Sequence, residues 1–463
     1  MTHDIFGQST SLTDPATLNE WNRVLLGFLA HSAVTPQHLE RVLRDAPDFA
    51  KGHAIKGMFY ILLGRRELME TVDQALAQAR AALAQGDANP RERLYVEALQ
   101  TWVDRRPTQA IALLEQVLQA HPTDTTAMKL SHAIRFVLGD AAGMRRSIER
   151  VMPAYAPDHP GRGYLLGCHA FALEETGAYE RAEIAGRQAL WTAPDDAWGL
   201  HAVAHVHDMT CNASAGLDWL AGREAAWSHC NNFRYHVWWH KALMHLDLGQ
   251  IDEVMALYDT EIRADRTDDY RDISNATSLL MRLELEGVQV GDRWEELADL
   301  SAARTQDGCL IFADLHYLLA LTGDHRQTDT TALLARIHRD AQTRDCDTAR
   351  RMAQPGLSAA KGLEAFGETR FDDAFAHLVA ARGTLQMAGG SHAQRDVFER
   401  LTIDAGIRAG QLDHVERILN ERQGQRAGHE DAYSAARRDL IAAARDGGGY
   451  YQYRWTNPAT ETV

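Results

Sequence analysis

The sequence is poor both in residues that break helices and in patterns that build sheets. Proline occurs only 12 times in 463 residues, aromatic residues make up 8% of the chain, and long alternating runs of β-branched residues are absent. Because alanine and leucine dominate the apolar positions, this composition predicts a nearly all-helical protein. A continuous helical array would also escape the size limit on a single globular core.

Basic clusters and long apolar runs are missing as well. Lysine and arginine total 48 against 64 acidic residues, for a formal net charge of −16. Without a basic stripe carrying interleaved aromatics, neither nucleic acid nor an anionic membrane surface is expected as a partner. No apolar run approaches the ~18 residues of a spanning helix, and the first residues lack a signal-peptide pattern. We therefore expect a soluble, cytoplasmic protein.

Cysteine is scarce and scattered. The five cysteines are odd in number and have no C-x-x-C spacing, which excludes a disulfide framework or a zinc knuckle and fits a reducing compartment. The zinc-hydrolase motif H-E-x-x-H is also absent, because Ala202 follows His201 and Val237 follows His236.

Histidine, in contrast, is arranged in two matching pairs. His201 and His205 stand four residues apart, so on a helix both imidazoles project from one face. His236 and His240 repeat this spacing 35 residues later, close to the period of about 34 residues at which tetratricopeptide units stack. Equivalent helices of neighbouring units should therefore present both pairs toward one shared space.

Proline and glycine divide the chain into helix pairs. Residues 1–35 read as an N-terminal helical segment, 36–445 as a single domain of repeats, and 446–463 as a C-terminal tail. The clearest unit, 163–198, has Gly177 and Tyr179 at its turn and Ala182 where two helices must approach closely. The pattern predicts an all-α fold, a right-handed α-solenoid of tetratricopeptide-like repeats, with closure around a central cavity as one form of it.

The chain resembles the tetratricopeptide repeat protein 38 family. The resemblance is carried by FALEETGAYERAE (171–183), WGLHAVAHVHDM (198–209), HVWWHKALMHLDLG (236–249), ALYD (256–259), GVQVGDRWEELA (287–298), DLHYLLAL (314–321) and GGSHAQRDVFE (389–399). It implies a right-handed superhelix of repeat units. It implies no reaction, because no activity is attached to the family as a whole.

Carboxylates at unusual helical positions are further candidates. Glu174 and Glu175 fall at a helix C-terminus, where the helix dipole disfavours negative charge, so one of them should turn inward toward a cation. Asp314 lies among leucines at helical spacing and must be paired or protonated, either in a site or in a structural ion pair. His316 faces almost the opposite way.

Ser391 and Gln394 form a capping-box pattern after a double glycine. This start places His392, Arg395 and Asp396 on one helix face. The group is either a solvated ion pair or a helix N-terminus that binds a carboxylate or phosphate. We hypothesise that the superhelix winds tightly enough to bring this turn to the histidine pairs. We also expect Leu220 and Leu248 to lie in apolar seams between units.

Two functions from different classes follow. In the first, an interior pocket binds a small anionic or amide-bearing molecule and acts on it by acid/base or metal-assisted chemistry; in the second, a non-catalytic adaptor holds a partner peptide or protein in its concave groove. The candidate catalytic residues are His201, His205, His236, His240, His392 and Asp396. The candidate ligand-binding residues are Glu174, Glu175, Trp198, Trp239, Asp314, His316 and Arg395.

The histidine pairs also have two interpretations of their own. They either form hydrogen bonds in a helix seam or, as the candidate metal ligands of the chain, chelate a divalent ion. Whether the protein is an enzyme, and whether a metal is its cofactor, stay open, as does its oligomeric state, for which a homodimer is one candidate.

Overall fold

Helices make up most of the structure, a computed structural model that describes residues 2–85, 88–343 and 345–446. Of the predicted tail, 446–463, all but its first residue lies outside the described residues. The helices of the N-terminal half are α1 (Pro15–Leu29), α2 (Thr35–Asp45), α3 (Ala50–Leu62), α4 (Met69–Ala84), α5 (Pro90–Val103), α6 (Pro107–Ala120), α7 (Thr125–Leu138), α8 (Ala141–Val151), α9 (Arg162–Glu174), α10 (Tyr179–Thr192), α11 (Ala197–Met209) and α12 (Ala213–Leu220).

The C-terminal half continues the same pairing. Its helices are α13 (Phe233–Asp247), α14 (Ile251–Leu257), α15 (Tyr270–Leu285), α16 (Arg293–Ala302), α17 (Ile311–Gly323), α18 (Gln327–Thr343), α19 (Asp347–Arg351), α20 (Leu357–Gly367), α21 (Phe371–Arg382), α22 (His392–Arg408), α23 (Leu412–Gln425) and α24 (Ala432–Arg445). Short 3₁₀ segments span Arg66–Leu68, Met152–Ala154, Glu224–Ala226 and Leu385–Ala388, and π segments span Tyr258–Ile262 and Met352–Gly356. The predicted all-α solenoid of helix pairs is confirmed.

Small residues set the distance between consecutive helices. In the unit formed by α9 and α10, Ala182 and Ala189 are fully buried where the sequence pattern places them. Gly186 allows α10 to touch α11, because a Cβ atom there would lie only 2.9 Å from the carbonyl oxygen of Gly199. The backbones of α10 and α11 are therefore in direct contact here, and this close packing fixes the position of α11.

The N-terminal segment, which we predicted to be helical, begins with a short β-hairpin before its helix. Thr2–His3 and Ser9–Thr10 pair as two antiparallel strands, β1 and β2. The hairpin is tied to α5, because the backbone N–H of Ser11 donates to Glu92 at 3.0 Å and the Asn89 side chain donates to the Ser9 carbonyl at 3.2 Å.

Distant units meet, so the array closes on itself. The Asn231 N–H donates to the His31 carbonyl at 2.8 Å, and Arg65 forms an ion pair with Asp268 at 2.8 Å. In the other half, the hydroxyl of Tyr179 donates to the Gln425 carbonyl at 2.6 Å. An open solenoid has contacts only between neighbouring repeats. Here such long-range contacts surround an interior space.

The buried apolar residues form two cores that divide at α13. Val237 belongs to the N-terminal core and Trp239 to the C-terminal one. Leu220 is buried in its seam as expected, whereas Leu248 is 41% exposed. The expectation for Leu248 was wrong because it follows the end of α13, where Gly249 turns the chain outward. Among the described residues, no helix has the length and apolarity needed to cross a membrane.

Candidate functional site

The two histidine pairs meet at one point inside the closed array. The Nε2 atom of His201 lies 2.8 Å from that of His205 and 3.0 Å from that of His236. The Nε2 atom of His240 lies 3.2 Å from that of His236. We call His201, His205, His236 and His240 the histidine cluster. Adjacent repeats thus bring their equivalent i,i+4 pairs together, as the 35-residue offset predicts.

Groups behind the imidazoles orient them. The Nδ1 atom of His236 lies 3.1 Å from Oδ1 of Asn275 on α15, and Nδ1 of His205 lies 3.6 Å from Glu174 at the end of α9. Trp239 stacks on His236 with ring centres 5.3 Å apart, and Trp198 packs on His201 at 5.1 Å. These neighbours hold the rings with their Nε2 edges turned inward.

Burial keeps the histidine cluster neutral. All four imidazoles are buried, and burial together with the neighbouring imidazoles lowers the pKa of His201 well below its ordinary value. Burial likewise lowers the pKa of His236 to about 4. Neutral imidazoles have the free nitrogen lone pair that a metal ligand or a general base needs.

Two sets of side chains have the geometry to hold a cation. The donor atoms of the histidine cluster all lie within 4.8 Å of one another, and so do those of Glu174, Glu175 and His205. The two sets share His205. Glu175 already accepts from the His392 N–H at 2.6 Å and from Arg395 at 3.2 Å, so its carboxylate is already neutralised.

A cavity of about 400 Å³ borders the cluster. His201 and His236 belong to its wall, while His205 and His240 do not line it. Aromatic side chains form much of the remaining wall, namely Phe28, Phe59, Tyr60, Phe136, Trp198, Phe233, Tyr270 and Phe312. A space of this size and lining fits a small molecule with an apolar body.

Several residues that line this cavity have buried polar groups without an ion-pair or hydrogen-bond partner of the usual kind among the described residues. Lys129 is 4% exposed and lines the cavity, yet no carboxylate of the described residues lies within salt-bridge distance of its ammonium group. Its contacts are Cys168 Sγ at 3.7 Å and the Trp198 ring centre at 4.6 Å. Both ring nitrogens of His132, Nε2 of His31 and Nε1 of Trp198 have no hydrogen-bond partner in the described part of the chain.

The start of α22 does reach the cavity, although through different residues from those expected. The capping box is confirmed, with Ser391 Oγ accepting from the Gln394 N–H at 3.3 Å, and both residues line the cavity wall. His392 and Arg395 instead contact Glu175, on the side of Glu174 and His205. The start of α22 therefore packs against Glu175, next to Glu174, the residue that lies behind His205 of the histidine cluster.

Three candidate residues lie in other environments. Asp396 accepts hydrogen bonds from Arg400 at 2.7 Å and from Arg422. Burial opposes the ionisation of Asp396, but these cations hold its pKa well below the ordinary value. Asp314 is paired with the buried Arg336, which is the structural ion pair that was one of its two interpretations. His316 Nδ1 bonds the Phe312 carbonyl at 2.8 Å. Neither Asp314 nor His316 lines the cavity, where we expected Asp314.

The most informative residues that sequence reasoning missed lie on α7. Lys129, His132 and Phe136 follow at spacings of three and four, so they form one face of a mostly buried helix. A lysine on an apolar face is costly unless it meets an anion, and that signal was available in the sequence. Asn275, which orients His236, gave no comparable signal, because its role depends on the stacking of α15 against α13.

Comparisons with known proteins concern the fold alone. No protein-family model matches the chain. A structure of the human IFIT1 dimer with m7Gppp-AAAA matches 95% of this chain and 96% of its own at 13% identity, with a TM-score of 0.38. A structure with PPP-AAAA matches 94% and 96% at 13% identity and a TM-score of 0.41. Yeast Tom70 matches 94% of this chain and 89% of its own at 12% identity, with a TM-score of 0.36.

TM-scores this low do not indicate what the chain binds. The helix pairs and the geometry of the site define the class directly: a tetratricopeptide-like helical-repeat protein whose array closes around a cavity and a buried histidine cluster.

Proposed function

We propose that this protein binds a small anionic molecule with an apolar or aromatic body in the cavity beside the histidine cluster. The observation that carries the proposal is Lys129, a buried ammonium group on an aromatic wall with no carboxylate partner. Taking such a charge out of water costs several kcal/mol unless an anion compensates it. A carboxylate or similar group on the ligand supplies that compensation.

The polar atoms around Lys129 support a ligand with more than one polar group. His132, His31 and Trp198 line the cavity, and each has a buried ring nitrogen without a hydrogen-bond partner among the described residues. Buried polar groups are ordinarily hydrogen-bonded, so several unpaired atoms on residues that line one cavity favour a binding site over a packing defect. The aromatic rings then provide the apolar contact area that gives a small ligand most of its affinity.

The adaptor function is the competing proposal. A groove that grips an extended peptide needs an open concave side, and the contacts of Asn231 with His31 and of Tyr179 with Gln425 join distant units across the array. We also propose membership of the tetratricopeptide repeat protein 38 family, supported by the motifs around residues 171–183, 198–209 and 389–399. Five free cysteines support a reducing, cytoplasmic setting.

Binding of matched aromatic ligands tests the small-molecule proposal. We suggest isothermal titration of the full chain with 2-naphthoate and with 2-naphthamide, which share a ring system and differ in charge. The naphthoate should bind more tightly than the amide to the parent protein, and Lys129→Met should abolish that preference. The variant should also melt no lower than the parent, because it removes an uncompensated buried charge.

Lys51→Met is the matched control. Lys51 is similarly buried, and its ammonium group also has no hydrogen-bond partner among the described residues, but it does not line the cavity. This variant should keep the naphthoate preference. Equal affinity for acid and amide in the parent, or an unchanged preference in Lys129→Met, would refute the proposal. A peptide retained on the purified protein in native mass spectrometry would favour the adaptor instead.

A further inference from the structure

We propose that the histidine cluster binds one divalent transition-metal ion through its four Nε2 atoms. The proposal concerns a different part of the site from the Lys129 wall and does not depend on the charge of the cavity ligand. It rests on the spacing of the nitrogens, on the groups behind them and on a buried carboxylate that has no hydrogen-bond partner among the described residues.

The spacing of the nitrogens matches a four-coordinate ion. Tetrahedral zinc has Zn–N bonds of about 2.0–2.1 Å, which places ligand nitrogens about 3.3 Å from one another. The observed Nε2 separations of 2.8, 3.0 and 3.2 Å, from His205 to His201 to His236 to His240, lie close to this value. A small contraction or expansion of the cluster would therefore be enough to seat the ion.

The groups behind the imidazole rings favour the proton on Nδ1, the nitrogen that points away from the centre of the cluster. Oδ1 of Asn275 faces Nδ1 of His236, and Glu174 faces Nδ1 of His205. Asn275 accepts a hydrogen bond from the Nδ1–H of His236, and the nearby Glu174 carboxylate favours the proton on Nδ1 of His205, although the 3.6 Å separation is too long for a hydrogen bond. In both histidines the Nε2 lone pair is then directed at the centre of the cluster. A histidine that donates its second N–H to a carboxylate or an amide oxygen is the usual arrangement at metal sites.

Glu174 is the independent observation. Its side chain is fully buried, and neither carboxylate oxygen has a hydrogen-bond partner among the described residues. Arg395, the cation beside it, is bound to Glu175 instead. A buried carboxylate aimed at a metal-ligating imidazole would face the positive charge of the ion through that ring, so a metal at the cluster gives Glu174 its missing partner.

The donor set indicates the class of metal. The histidine cluster offers four imidazole nitrogens and no oxygen atom. Such a set suits zinc, copper, nickel or cobalt, whereas calcium and magnesium require oxygen ligands. Because His201 and His236 also form part of the cavity wall, the ion would lie directly behind the surface that a cavity ligand contacts.

Metal binding by the full chain tests the inference. Protein treated with a chelator and then dialysed against Zn²⁺ should hold one equivalent per chain by elemental analysis, and Zn K-edge X-ray absorption should report a shell dominated by imidazole nitrogen. His205→Ala should weaken zinc affinity by more than about tenfold, and Glu174→Gln by roughly tenfold.

His316→Ala is the matched control, because His316 is as buried as His205 but lies outside the cluster. It should leave zinc affinity unchanged. If His205→Ala fails to fold, the absorption spectrum of the parent protein still decides the question. Substoichiometric zinc, an oxygen-dominated shell, or equal loss of affinity in the control would overturn the inference. Lys129→Met should bind zinc normally, which separates failure of the metal site from failure of the cavity proposal.

Discussion

Replacing Asp196 by asparagine should give a stability advantage that grows as the pH rises. Asp196 caps α11, with its carboxylate accepting from the Gly199 N–H at 3.2 Å, and its side chain is buried. No cation of the described residues forms a salt bridge with it. Burial, opposed by the more distant Lys129, raises its pKa from 3.8 to about 7.

The raised pKa of Asp196 makes the protein less stable as the pH increases. Because the folded state holds the proton more tightly than the unfolded state, the stabilising contribution is complete below about pH 4 and is lost as the pH rises through 7. One pKa unit corresponds to about 1.4 kcal/mol, so the full loss is roughly 4 kcal/mol. Asparagine is as good a helix cap as aspartate and does not titrate. Its advantage should grow by roughly 3 kcal/mol between pH 5 and pH 8.

Asp124 is the matched control for this experiment. It caps α7 and is just as buried, but it is paired with Arg91 and accepts from the Tyr95 hydroxyl at 2.8 Å. Burial opposes its ionisation, yet Lys51 and Arg91 hold its pKa well below the ordinary value. Asp124→Asn should therefore destabilise the protein by about 3–5 kcal/mol, equally at both pH values.

Urea unfolding followed by circular dichroism, at pH 5 and at pH 8, measures both variants against the parent. Other buried carboxyls that titrate in this range, such as Asp272 and Asp307, are common to all three proteins and cancel in the comparison. If Asp196→Asn destabilises the protein to the same extent at both pH values, then Asp196 is an ionised, compensated carboxylate and the reasoning fails.

Two further pairs of substitutions test the packing. Asp314→Asn leaves the buried Arg336 with only the longer contact to Asp340 at 3.5 Å and should cost about 3–5 kcal/mol in urea unfolding. The double variant Asp314→Leu with Arg336→Met should lose far less, and additive losses would contradict a structural ion pair. Leu220→Asp should lower the melting temperature strongly because Leu220 is buried, while Leu248→Asp, at an exposed position, should melt like the parent; circular dichroism decides between them.

The features that sequence predicted well are local or periodic. The pairs in the histidine cluster could be placed together because an i,i+4 spacing fixes a helix face and the 35-residue offset carries that face to the next unit. The capping box at Ser391 depends only on four consecutive residues. The closure of the array was a hypothesis, since it depends on how small rotations add up over many repeats.

The features that sequence could not settle depend on partners far along the chain. Asp314 finds Arg336 on the next helix, and Asp396 finds Arg422, so neither carboxylate is free for chemistry. Helical spacing shows that such a carboxylate needs a partner without showing which one it obtains. Lys129, in contrast, has no carboxylate partner. That could be seen only in the structure, which shows the other residues that line the cavity.

The position of a bound carboxylate tests the central claim most directly. A crystal structure of the full chain grown with 2-naphthoate should show the ring among Phe136, Trp198 and Phe233, with a carboxylate oxygen about 2.7–2.9 Å from the Lys129 ammonium. Density for the ligand elsewhere on the protein, or a Lys129 side chain that pairs with Asp196 while the ligand is absent from the cavity, would contradict the account.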